Sequence, residues 1–354
     1  MSPTLRTAVL GAGGYIGQEF VRLLSDHPDF LPPVLVGGGQ SIGRTLSEVW
    51  RLAEECPKDL ARARITAPSP SQLARTVDVA FGAMPSGSAG PIESELSRRG
   101  VAVFSNAADH RLDPNRPMLV PEVNGAHLAL LGRSRGGRAA LVTNPNCSAT
   151  GLVLALAPVL EIVKPIAVHV ATYQSLSGAG FPGVPSLSVT DNVLPYIEEE
   201  EEKLALEAPR LLGRLSAGAL RPLDVPFVAH CARVGVREGH LEAVTVEARG
   251  RPDLDALLGA WRSFDPLRTA KLPTAPHPPV VVRNETDRPQ PLLDRWAGSG
   301  RARGMAAVVG RVRWRPPYLR FFVLSHNAVR GGAGGSVLNA EYALSRGYWG
   351  GGRS

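Results

Sequence analysis

The sequence has 354 residues, of which 44% are apolar and 20% are charged, and its formal net charge is +7. This length is enough for two domains with separate cores, and the composition is that of a globular protein. No apolar stretch reaches the roughly 20 residues of a membrane-spanning helix, and the first residues lack the long apolar segment of a secretory signal. The basic residues are scattered, which argues against nucleic-acid binding and suits a small anionic substrate.

The three cysteines, Cys56, Cys147 and Cys231, are far apart in the sequence. This spacing argues against a disulfide framework and a zinc site, so we expect a reducing, cytoplasmic location. Cys147 lies in "VTNPNCSAT", between a short apolar stretch and the apolar run "GLVLALAPVL". A buried structural cysteine would more naturally lie inside that run than at its polar entrance. We interpret Cys56 and Cys231 as structural.

The first part of the chain predicts a strand–turn–helix over "RTAVLGAGGYIGQEFVRLL", followed by short apolar strands that alternate with helical segments. This order is typical of an α/β fold with a parallel sheet covered by helices on both faces. We expect a Rossmann-like dinucleotide-binding domain over residues 1–148, with a C-terminal amphipathic helix within 331–354 that packs back on it. A helix over 149–161 should follow the cysteine.

The second part of the chain has longer strands and fewer helices, which predicts an α+β domain with a mixed sheet over 149–330. The acidic run Glu198–Glu202 should belong to a helix that continues into "KLALEAPRLLGRL". The proline-rich segments 272–280 and 287–291 are predicted to be loops.

Glycines in "VLGAGGYIG" permit a tight turn, a close approach of pyrophosphate to the backbone, and a helix N-terminus directed at the phosphates. The segment after the second strand, "VGGGQSIGRTL", contains no acid that would bind a ribose 2′-hydroxyl, whereas its serine and arginine could bind a 2′-phosphate. We therefore favour NADP as the cofactor and keep NAD open. The predicted contacts are Gly11, Gly13, Gly14, Tyr15, Ile16, Gly17, Ser41 and Arg44.

Several segments in a shared order resemble the aspartate-β-semialdehyde dehydrogenases of the archaeal and fungal branch. They include "GAGGYIGQEF", "TNPNCSATG", "YQSLSGAGFPGVPSLSVTDNVLPYI", "EEEKLALE", "ARVGVREGHLEAVTVE" and "LSHNAVRGGAGGSVLNAEY". The resemblance implies reductive dephosphorylation of aspartyl phosphate to aspartate semialdehyde, in lysine, threonine and methionine biosynthesis. It also implies a homo-oligomer, at least a dimer, built through the sheet of the second domain.

The resemblance also implies site residues. Cys147 matches the nucleophile, Gln174 the residue that orients the acyl intermediate, and His240 the general acid/base. The implied substrate contacts are Arg233 for the α-carboxylate, Glu200 and Lys203 for the amino and phosphate groups, and Asn106 and Arg111 for phosphate. The implied cofactor contacts are Ser177, Gly178 and Asn327, the last at the nicotinamide end.

Elementary chemistry agrees with these roles. A thiolate attacks acyl phosphates well, and a helix N-terminus stabilises it. We expect free N–H groups at that helix start to bind the oxyanion, and His240 to remove and return a proton near neutral pH.

The chain departs from the family pattern at Gly13, where Thr is usual, at Gln40, where Arg is usual, and at Ala149 and Ser188. Malonyl-CoA reductase, a sister enzyme on the same scaffold, is therefore the main alternative. An N-acetyl-glutamyl-phosphate reductase is disfavoured because that family typically has Gly where this chain has Asn146. A non-catalytic nucleotide-binding protein is disfavoured because Cys147 and His240 are both present.

Overall fold

The computed structural model describes residues 4–133, 140–216 and 218–348, which form two compact units. The first unit comprises 1–119, 125–145 and 332–354, and the second comprises 120–124 and 146–331. The short segment 120–124, which we had placed in the first domain, therefore belongs to the second unit. Within the described ranges, no helix combines the length and the apolar character needed to span a membrane.

The first unit is built on a five-stranded parallel sheet in the order β2-β1-β3-β4-β5. Its strands are short and almost wholly buried, as expected where helices cover both faces of a parallel sheet. This sheet confirms the predicted α/β fold class. The strands are β1 (Thr7–Leu10), β2 (Val34–Val36), β3 (Val79–Gly82), β4 (Ala102–Ser105) and β5 (Leu141–Thr143).

The α-helices that precede β5 among the described residues of the first unit are α1 (Tyr15–Leu24), α2 (Leu46–Val49), α3 (Pro70–Thr76) and α4 (Ala89–Arg98). Residues of β1, β3 and β4 alternate between the two faces of the sheet, so each face has its own core. On one face Ala8, Ala80 and Val103 join a cluster with side chains of α3 and α4. In the aromatic core of the unit, the ring of Phe81 lies 5.2 Å from Phe20 and 6.0 Å from Phe104.

The glycine turn after β1 lies against the turn after β3, where the strand order of the sheet changes direction. Gly11 has a φ of +91°, and a Cβ on this residue would lie 2.4 Å from the carbonyl oxygen of Ala83. Only glycine combines this conformation with so close an approach. In open α/β sheets, ligands bind at such switch points, beyond the carboxyl ends of the strands.

The second unit contains a six-stranded mixed sheet in the order β11-β12-β13-β10-β6-β9 and a separate pair, β7-β8. The β11–β12 and β6–β9 pairs are parallel, and the other neighbours in the large sheet are antiparallel. This agrees with the mixed sheet expected from the sequence. The strands are β6 (Pro165–Gln174), β7 (Arg214–Ser216), β8 (Ala219–Arg221), β9 (Phe227–Arg233), β10 (His240–Ala248), β11 (Val280–Val282), β12 (Ala307–Arg315) and β13 (Tyr318–Ser325).

The helices of the second unit are α5 (Pro121–Asn124), α6 (Cys147–Leu156), α7 (Leu160–Val163), α8 (Ser186–Val189), α9 (Glu200–Leu211), α10 (Leu254–Ser263) and α11 (Pro291–Asp294). The helix expected over 149–161 is thus two helices. Pro158 lies in the break, where it has no N–H to continue the hydrogen-bond ladder of α6. The indole of Trp261 in α10 donates to the carbonyl of Ala155 at 2.7 Å and fixes α10 against α6.

The C-terminal helix α12 (Gly334–Ser345) belongs to the first unit and differs from the amphipathic helix that we expected. Its residues from Gly334 to Ala343 are all buried. Two of its polar positions have partners: Asn339 donates to the carbonyl of Leu119 at 3.1 Å, and Glu341 pairs with His27 at 2.8 Å. The part of the expected helix at 349–354 lies outside the described residues.

Candidate active site

Cys147 is the first residue of α6 and is partly exposed, whereas the rest of that helix is buried. Asn146 is the N-cap, and its side-chain oxygen accepts from the amides of Ser148 at 2.8 Å and Ala149 at 3.1 Å. This cap explains the polar residue before the apolar run. The amides of Ser148 and Ala149 already have this acceptor, so they are not the free N–H groups that we expect to bind an oxyanion.

A glycine brings a second segment against the cysteine. A Cβ on Gly331 would lie 2.6 Å from the Cβ of Cys147, so only glycine permits this approach. The preceding Arg330 forms a bidentate ion pair with Glu122 at 2.8 and 2.7 Å, and both side chains are buried. Sequence analysis did not identify Gly331, Arg330 or Glu122, because the partners are 208 residues apart in the chain.

The helices α6 and α9 meet at Asn146. The Asn146 amide group donates to Glu200 at 2.9 Å, and its main-chain N–H donates to Glu207 at 2.5 Å. Gln174, the last residue of β6, donates to the same Glu200 oxygen at 2.8 Å. The structure thus places Gln174 and Glu200 in one buried network with the residue that precedes the cysteine.

Helix α9 begins at Glu200, so Glu198 and Glu199 precede the helix that we expected to include them. Glu199 has a left-handed backbone (φ 57°). Lys203 forms an ion pair with Glu199 at 3.0 Å, and these side chains are 30% and 71% exposed. Lys203 therefore lies at the outer part of α9, and its role in binding substrate stays a prediction.

Arg233 is the last residue of β9 and is paired in register with Gln174. Its guanidinium donates to the carbonyl of Ser175 at 2.9 Å. Burial lowers the pKa of Arg233, whereas the charges of the Cys147 sulfur and the Glu200 carboxylate act in the opposite direction. The charges of Arg233 and of a Cys147 thiolate therefore attract each other.

His240 is the first residue of β10 and is fully buried. Its Nδ1 accepts a hydrogen bond from the main-chain N–H of Ser175 at 3.1 Å, and its Nε2 has no partner among the described residues. Burial, then the charges of Arg233 and His326, lower the pKa of His240 to about 3. The ring is therefore neutral near pH 7, and the expected role of His240 in removing and returning a proton stays a prediction.

Arg233 and His240 converge on one small space beside Gly178. The position of a Cβ on Gly178 lies 2.7 Å from Nη1 of Arg233 and 3.3 Å from Nε2 of His240. A side chain at residue 178 would fill this space and meet both groups. The glycine leaves a cation and a buried ring nitrogen facing the same space.

The two remaining predicted residues of the second unit, Ser177 and Asn327, belong to a hydrogen-bond network behind His240. Asn327 accepts from the hydroxyl of Ser175 at 3.0 Å and from the amide of Gly239 at 2.9 Å. Its amide nitrogen donates to the hydroxyl of Ser177 at 2.8 Å. These bonds hold the segment after β6 and the segment after β13 in one arrangement around the histidine.

The predicted cofactor residues of the first unit form the turn after β1 and the first turn of α1. Gly14 is the N-cap of α1; no side chain caps this end, and no acidic residue lies in the first turn. The first turn of α1, which contains the backbone amides of Ile16 and Gly17, thus has neither a side-chain cap nor an acidic residue among its described positions. These features fit the pyrophosphate of a dinucleotide.

Ser41 and Arg44 lie in the loop after β2. Ser41 packs against two glycines of this region, since Cβ atoms on Gly13 and Gly37 would lie 2.9 and 2.6 Å from its side chain. Arg44 is exposed and donates to the carbonyl of Glu48 at 2.7 Å. Between β2 and Glu48, the loop therefore contains the hydroxyl of Ser41 and the guanidinium of Arg44, and its sequence has no carboxylate.

Asn106 and Arg111 follow β4 in the first unit. The Asn106 side chain donates to the carbonyl of Gly82 at 3.1 Å and accepts from Asn144 at 3.0 Å. The guanidinium of Arg111 donates to the carbonyl of Asn106 at 2.6 Å. The two predicted phosphate residues are therefore in direct contact, and Asn106 fixes the position of Arg111.

The other two cysteines differ from Cys147. Cys231 is buried in β9, and burial raises its pKa to about 12. Burial also raises the pKa of Cys56. Because thiolates react and thiols do not, these environments favour the structural interpretation of both residues.

Comparison with known proteins agrees with this arrangement. Residues 6–131 match the family model described as semialdehyde dehydrogenase, NAD binding domain, and residues 156–330 match semialdehyde dehydrogenase, dimerisation domain. The chain is 40% identical to an aspartate-semialdehyde dehydrogenase of Archaeoglobus fulgidus, over 95% of this chain and 97% of that protein. It is 38% identical to a malonyl CoA reductase (NADP) of Metallosphaera sedula, over 98% and 99%.

A solved structure extends the similarity to the whole fold. The crystal structure of aspartate semialdehyde dehydrogenase with NADP from Candida albicans has a TM-score of 0.87 and 31% identity, and it covers 98% of this chain and 99% of that chain. The resemblance seen in the sequence motifs is confirmed. The chain belongs to the semialdehyde dehydrogenase family.

Proposed function

We propose that this protein is an NADP-dependent aspartate-semialdehyde dehydrogenase that reduces L-4-aspartyl phosphate through a thioester on Cys147. The observation that carries the proposal is the position of Cys147 directly after Asn146, which donates to the buried Glu200, together with Arg233, on which the charges of Cys147 and Glu200 act and which lies close to His240 at Gly178. A partly exposed thiol beside a buried cation suits an acyl acceptor, because the cation stabilises the thiolate. Phosphate leaves as the C–S bond forms.

Arg233 has two functions in this proposal. Its cation stabilises the thiolate before attack, and its guanidinium binds the α-carboxylate of the substrate, for which a planar fork of donors is well suited. The glycine at 178 keeps a side chain away from this guanidinium, because a Cβ there would lie 2.7 Å from Nη1 of Arg233. A lysine at 233 would keep the charge but lose the second parallel hydrogen bond.

Glu200 supports an amino-acid substrate rather than malonyl-CoA. Its buried carboxylate accepts from Asn146 and Gln174, and both of these bonds end on the same oxygen. The α-ammonium of an aspartyl group would compensate this charge, whereas a malonyl group has no cation to offer. Malonyl-CoA reduction is the second candidate, and the relative of that name from Metallosphaera sedula supports it.

We assign the phosphate of the substrate to Arg111, held in place by Asn106, with Lys203 as a further cation. We assign the cofactor to the uncapped start of α1 and the loop that contains Ser41 and Arg44. When bound, the nicotinamide supplies the hydride that reduces the thioester. The missing carboxylate after β2 favours NADP over NAD, since a 2′-phosphate would not meet a negative charge there.

We also propose that the protein is a homo-oligomer formed through the mixed sheet. Tyr173 of β6 and Val228 of β9 are 40% and 45% exposed on neighbouring strands, and the matching family model is described as a dimerisation domain. Size-exclusion chromatography with light scattering should give a mass of at least two chains. A monomer at micromolar concentration would contradict this assignment.

The test of the function is a comparison of substrates and cofactors. Purified protein should reduce NADP when given aspartate semialdehyde and inorganic phosphate, and turnover with NAD should be slower. Malonyl-CoA with NADPH should be turned over at least about tenfold less efficiently. Glu200→Gln should reduce activity with aspartate semialdehyde by a larger factor than any activity with malonyl-CoA. Faster turnover of malonyl-CoA by the unmodified protein would reverse the assignment.

A further inference from the structure

Glu93 in α4 is a buried acidic residue of the first unit that the proposed reaction does not use. Its Oε1 accepts a hydrogen bond from the hydroxyl of Ser105, the last residue of β4, at 2.8 Å, and both side chains are buried. The same hydroxyl oxygen accepts from the main-chain N–H of Ala107 at 3.1 Å. One serine therefore links this carboxyl group to the segment that follows β4.

That segment contains both predicted phosphate contacts, Asn106 and Arg111, and Gly82 brings it close to the carboxyl group. A Cβ on Gly82 would lie 2.2 Å from Oε1 of Glu93, so a side chain there would displace the carboxyl group. The carbonyl of Gly82 accepts from the main-chain and side-chain N–H groups of Asn106, at 2.9 and 3.1 Å. Because Arg111 donates to the carbonyl of Asn106, the position of Glu93 affects the residue that holds this guanidinium.

A second acidic residue, Asp109, fixes the same segment to the start of α4. Its carboxylate accepts from the main-chain N–H groups of Gly87 at 3.0 Å and Gly90 at 3.1 Å. Two amide donors suit a charged carboxylate, whereas the one described donor to Glu93 is a hydroxyl. The two acidic residues therefore have environments that suit different charge states.

The charged groups around Glu93 do not compensate a negative charge on it. Its Oε2 is buried, has no hydrogen-bond partner among the described residues, and lies 3.8 Å from Nε2 of His110. Burial and then the charge of Arg116 lower the pKa of His110, so that ring is uncharged near pH 7. Arg116 itself forms an ion pair with Asp113 at 2.9 Å.

These surroundings change the acidity of Glu93. Burial raises the pKa of its carboxyl group to about 7, and the negative charge of Asp109 acts in the same direction. The hydrogen bond from Ser105 and the charge of Arg116 act in the opposite direction. Glu93 is thus protonated below about pH 7 and ionises above it, which adds a second negative charge near Asp109.

We propose that Glu93 positions Asn106 and Arg111 for the phosphate of the substrate, and that it does so as an uncharged acid. This inference rests on the proposed function for the identity of the ligand at Arg111. Ionisation would place a buried negative charge close to a segment that binds an anion, so phosphate should bind more weakly. Glu93 acts through Ser105 and is a positioning residue, which sequence analysis did not identify.

The pH dependence of the KM for phosphate tests this proposal. Glu93→Gln keeps the size of the side chain and an oxygen that accepts from Ser105, but it cannot ionise. From about pH 6 to about pH 8.5, the KM for phosphate of the unmodified protein should rise by about threefold or more relative to that of the variant. The ratio of their KM values for aspartate semialdehyde should stay constant. Phosphate changes its own charge in this range, but equally in both assays. A constant ratio of the two phosphate KM values would overturn the proposal.

Two further variants separate Glu93 from its surroundings. Glu95→Gln is the matched control, since Glu95 lies on the same helix, is partly exposed and pairs with Arg99. The same pH-dependent change in this control would contradict a specific role of Glu93. Ser105→Ala removes the hydroxyl between Glu93 and Ala107, so the KM for phosphate should rise by about fivefold or more already at about pH 6. An unchanged KM would show that Glu93 does not act through this serine.

Carbon NMR tests the charge of Glu93 without turnover. Protein labelled with ¹³C at the glutamate carboxyl groups should show one signal that is lost in Glu93→Gln and that titrates with a midpoint of about 7. A midpoint near the ordinary value of 4.5 would refute this inference alone. Absence of any phosphate-dependent turnover would instead refute the proposed function, and with it the role of Glu93 in phosphate binding.

Discussion

The N-termini of helices α1 and α6 differ in what they can bind. In the first unit, α1 begins after Gly14, which has no side chain to accept a hydrogen bond from the first amides of the helix. In the second unit, α6 begins after Asn146, whose side chain takes up the amides of Ser148 and Ala149. One start is suited to bind an anion through the backbone, and the other holds a reactive side chain in place.

This difference predicts different kinds of sensitivity. At α1 the functional groups are part of the main chain, so substitutions there act by steric obstruction. Around α6 the functional groups are side chains, so substitutions there remove a reactive or hydrogen-bonding group. We expect the largest effects on rate in the second unit and the largest effects on cofactor affinity in the first.

Cys147→Ser should have the largest effect. A serine keeps the shape but is a far weaker nucleophile at neutral pH, so kcat should fall by about 10⁴-fold or more. Cys56→Ser is the matched control, since its thiol lies in the first unit, and it should retain activity within about twofold. Near-normal turnover by the Cys147 variant would contradict the proposed mechanism.

Arg233→Lys should have the next largest effect. It keeps the positive charge near the thiol but loses the bidentate hydrogen bonds, so kcat/KM should fall by about 10²- to 10³-fold. Affinity for NADP, measured by fluorescence titration, should stay the same, because the predicted contacts of its phosphates lie in the first unit. A parallel loss of cofactor affinity would show that the two functions are not separated in this way.

Gly17→Ala should weaken the cofactor site through sterics. A Cβ on Gly17 would lie 1.9 Å from the carbonyl oxygen of Gly11, so the turn must move. We expect the Kd for NADP to rise by about tenfold or more and stability to fall by about 1–3 kcal/mol. Gly259→Ala in α10 is the control, since nothing lies within 4 Å of its added Cβ, and it should be neutral or slightly stabilising. Equal Kd values for NADP in the two variants would contradict the role of the turn.

Glu242→Gln should change stability in a pH-dependent way. This carboxyl group is fully buried, neither oxygen has a hydrogen-bond partner among the described residues, and burial raises its pKa well above the usual 4.5. The folded protein then holds a proton that the unfolded chain releases above that value. Each pH unit above it disfavours folding by up to about 1.4 kcal/mol until the folded pKa is reached.

The amide of the Gln variant does not titrate. Urea unfolding between about pH 5 and pH 8 should therefore show the unmodified protein losing stability relative to the variant as pH rises. Because other buried groups, such as Glu93, are present in both proteins, the difference isolates Glu242. A constant difference across this range would show that the group is not protonated in the folded state.

Structural features could be predicted from the sequence where their physical cause lies in neighbouring residues. The turn over Gly11–Gly17, the short buried strands and the position of Cys147 at a helix start all depend on neighbouring residues. The roles of Arg233 and His240 came from the resemblance, because nothing local distinguishes them from ordinary strand residues.

The features that could not be predicted from the sequence depend on pairs of residues that are distant in the chain. Ser175 and Asn327 are 152 residues apart, and the approach of Gly331 to Cys147 joins the two ends of the second unit. The burial of Asn339 and Glu341 in α12 was missed for a related reason, since their partners Leu119 and His27 are distant in the chain. The ion pair of Lys203 with Glu199 was also not predicted, because a run of glutamates does not show at which residue the helix begins.

The most direct test of the account is capture of the acyl group on the cysteine. The protein is mixed with aspartate semialdehyde and NADP without phosphate, quenched in acid, digested and analysed by mass spectrometry. The account predicts that the aspartyl group is found as a thioester on the peptide that contains Cys147, with Cys56 and Cys231 unmodified. Formation of NADPH without an adduct, or an adduct on another residue, would contradict it.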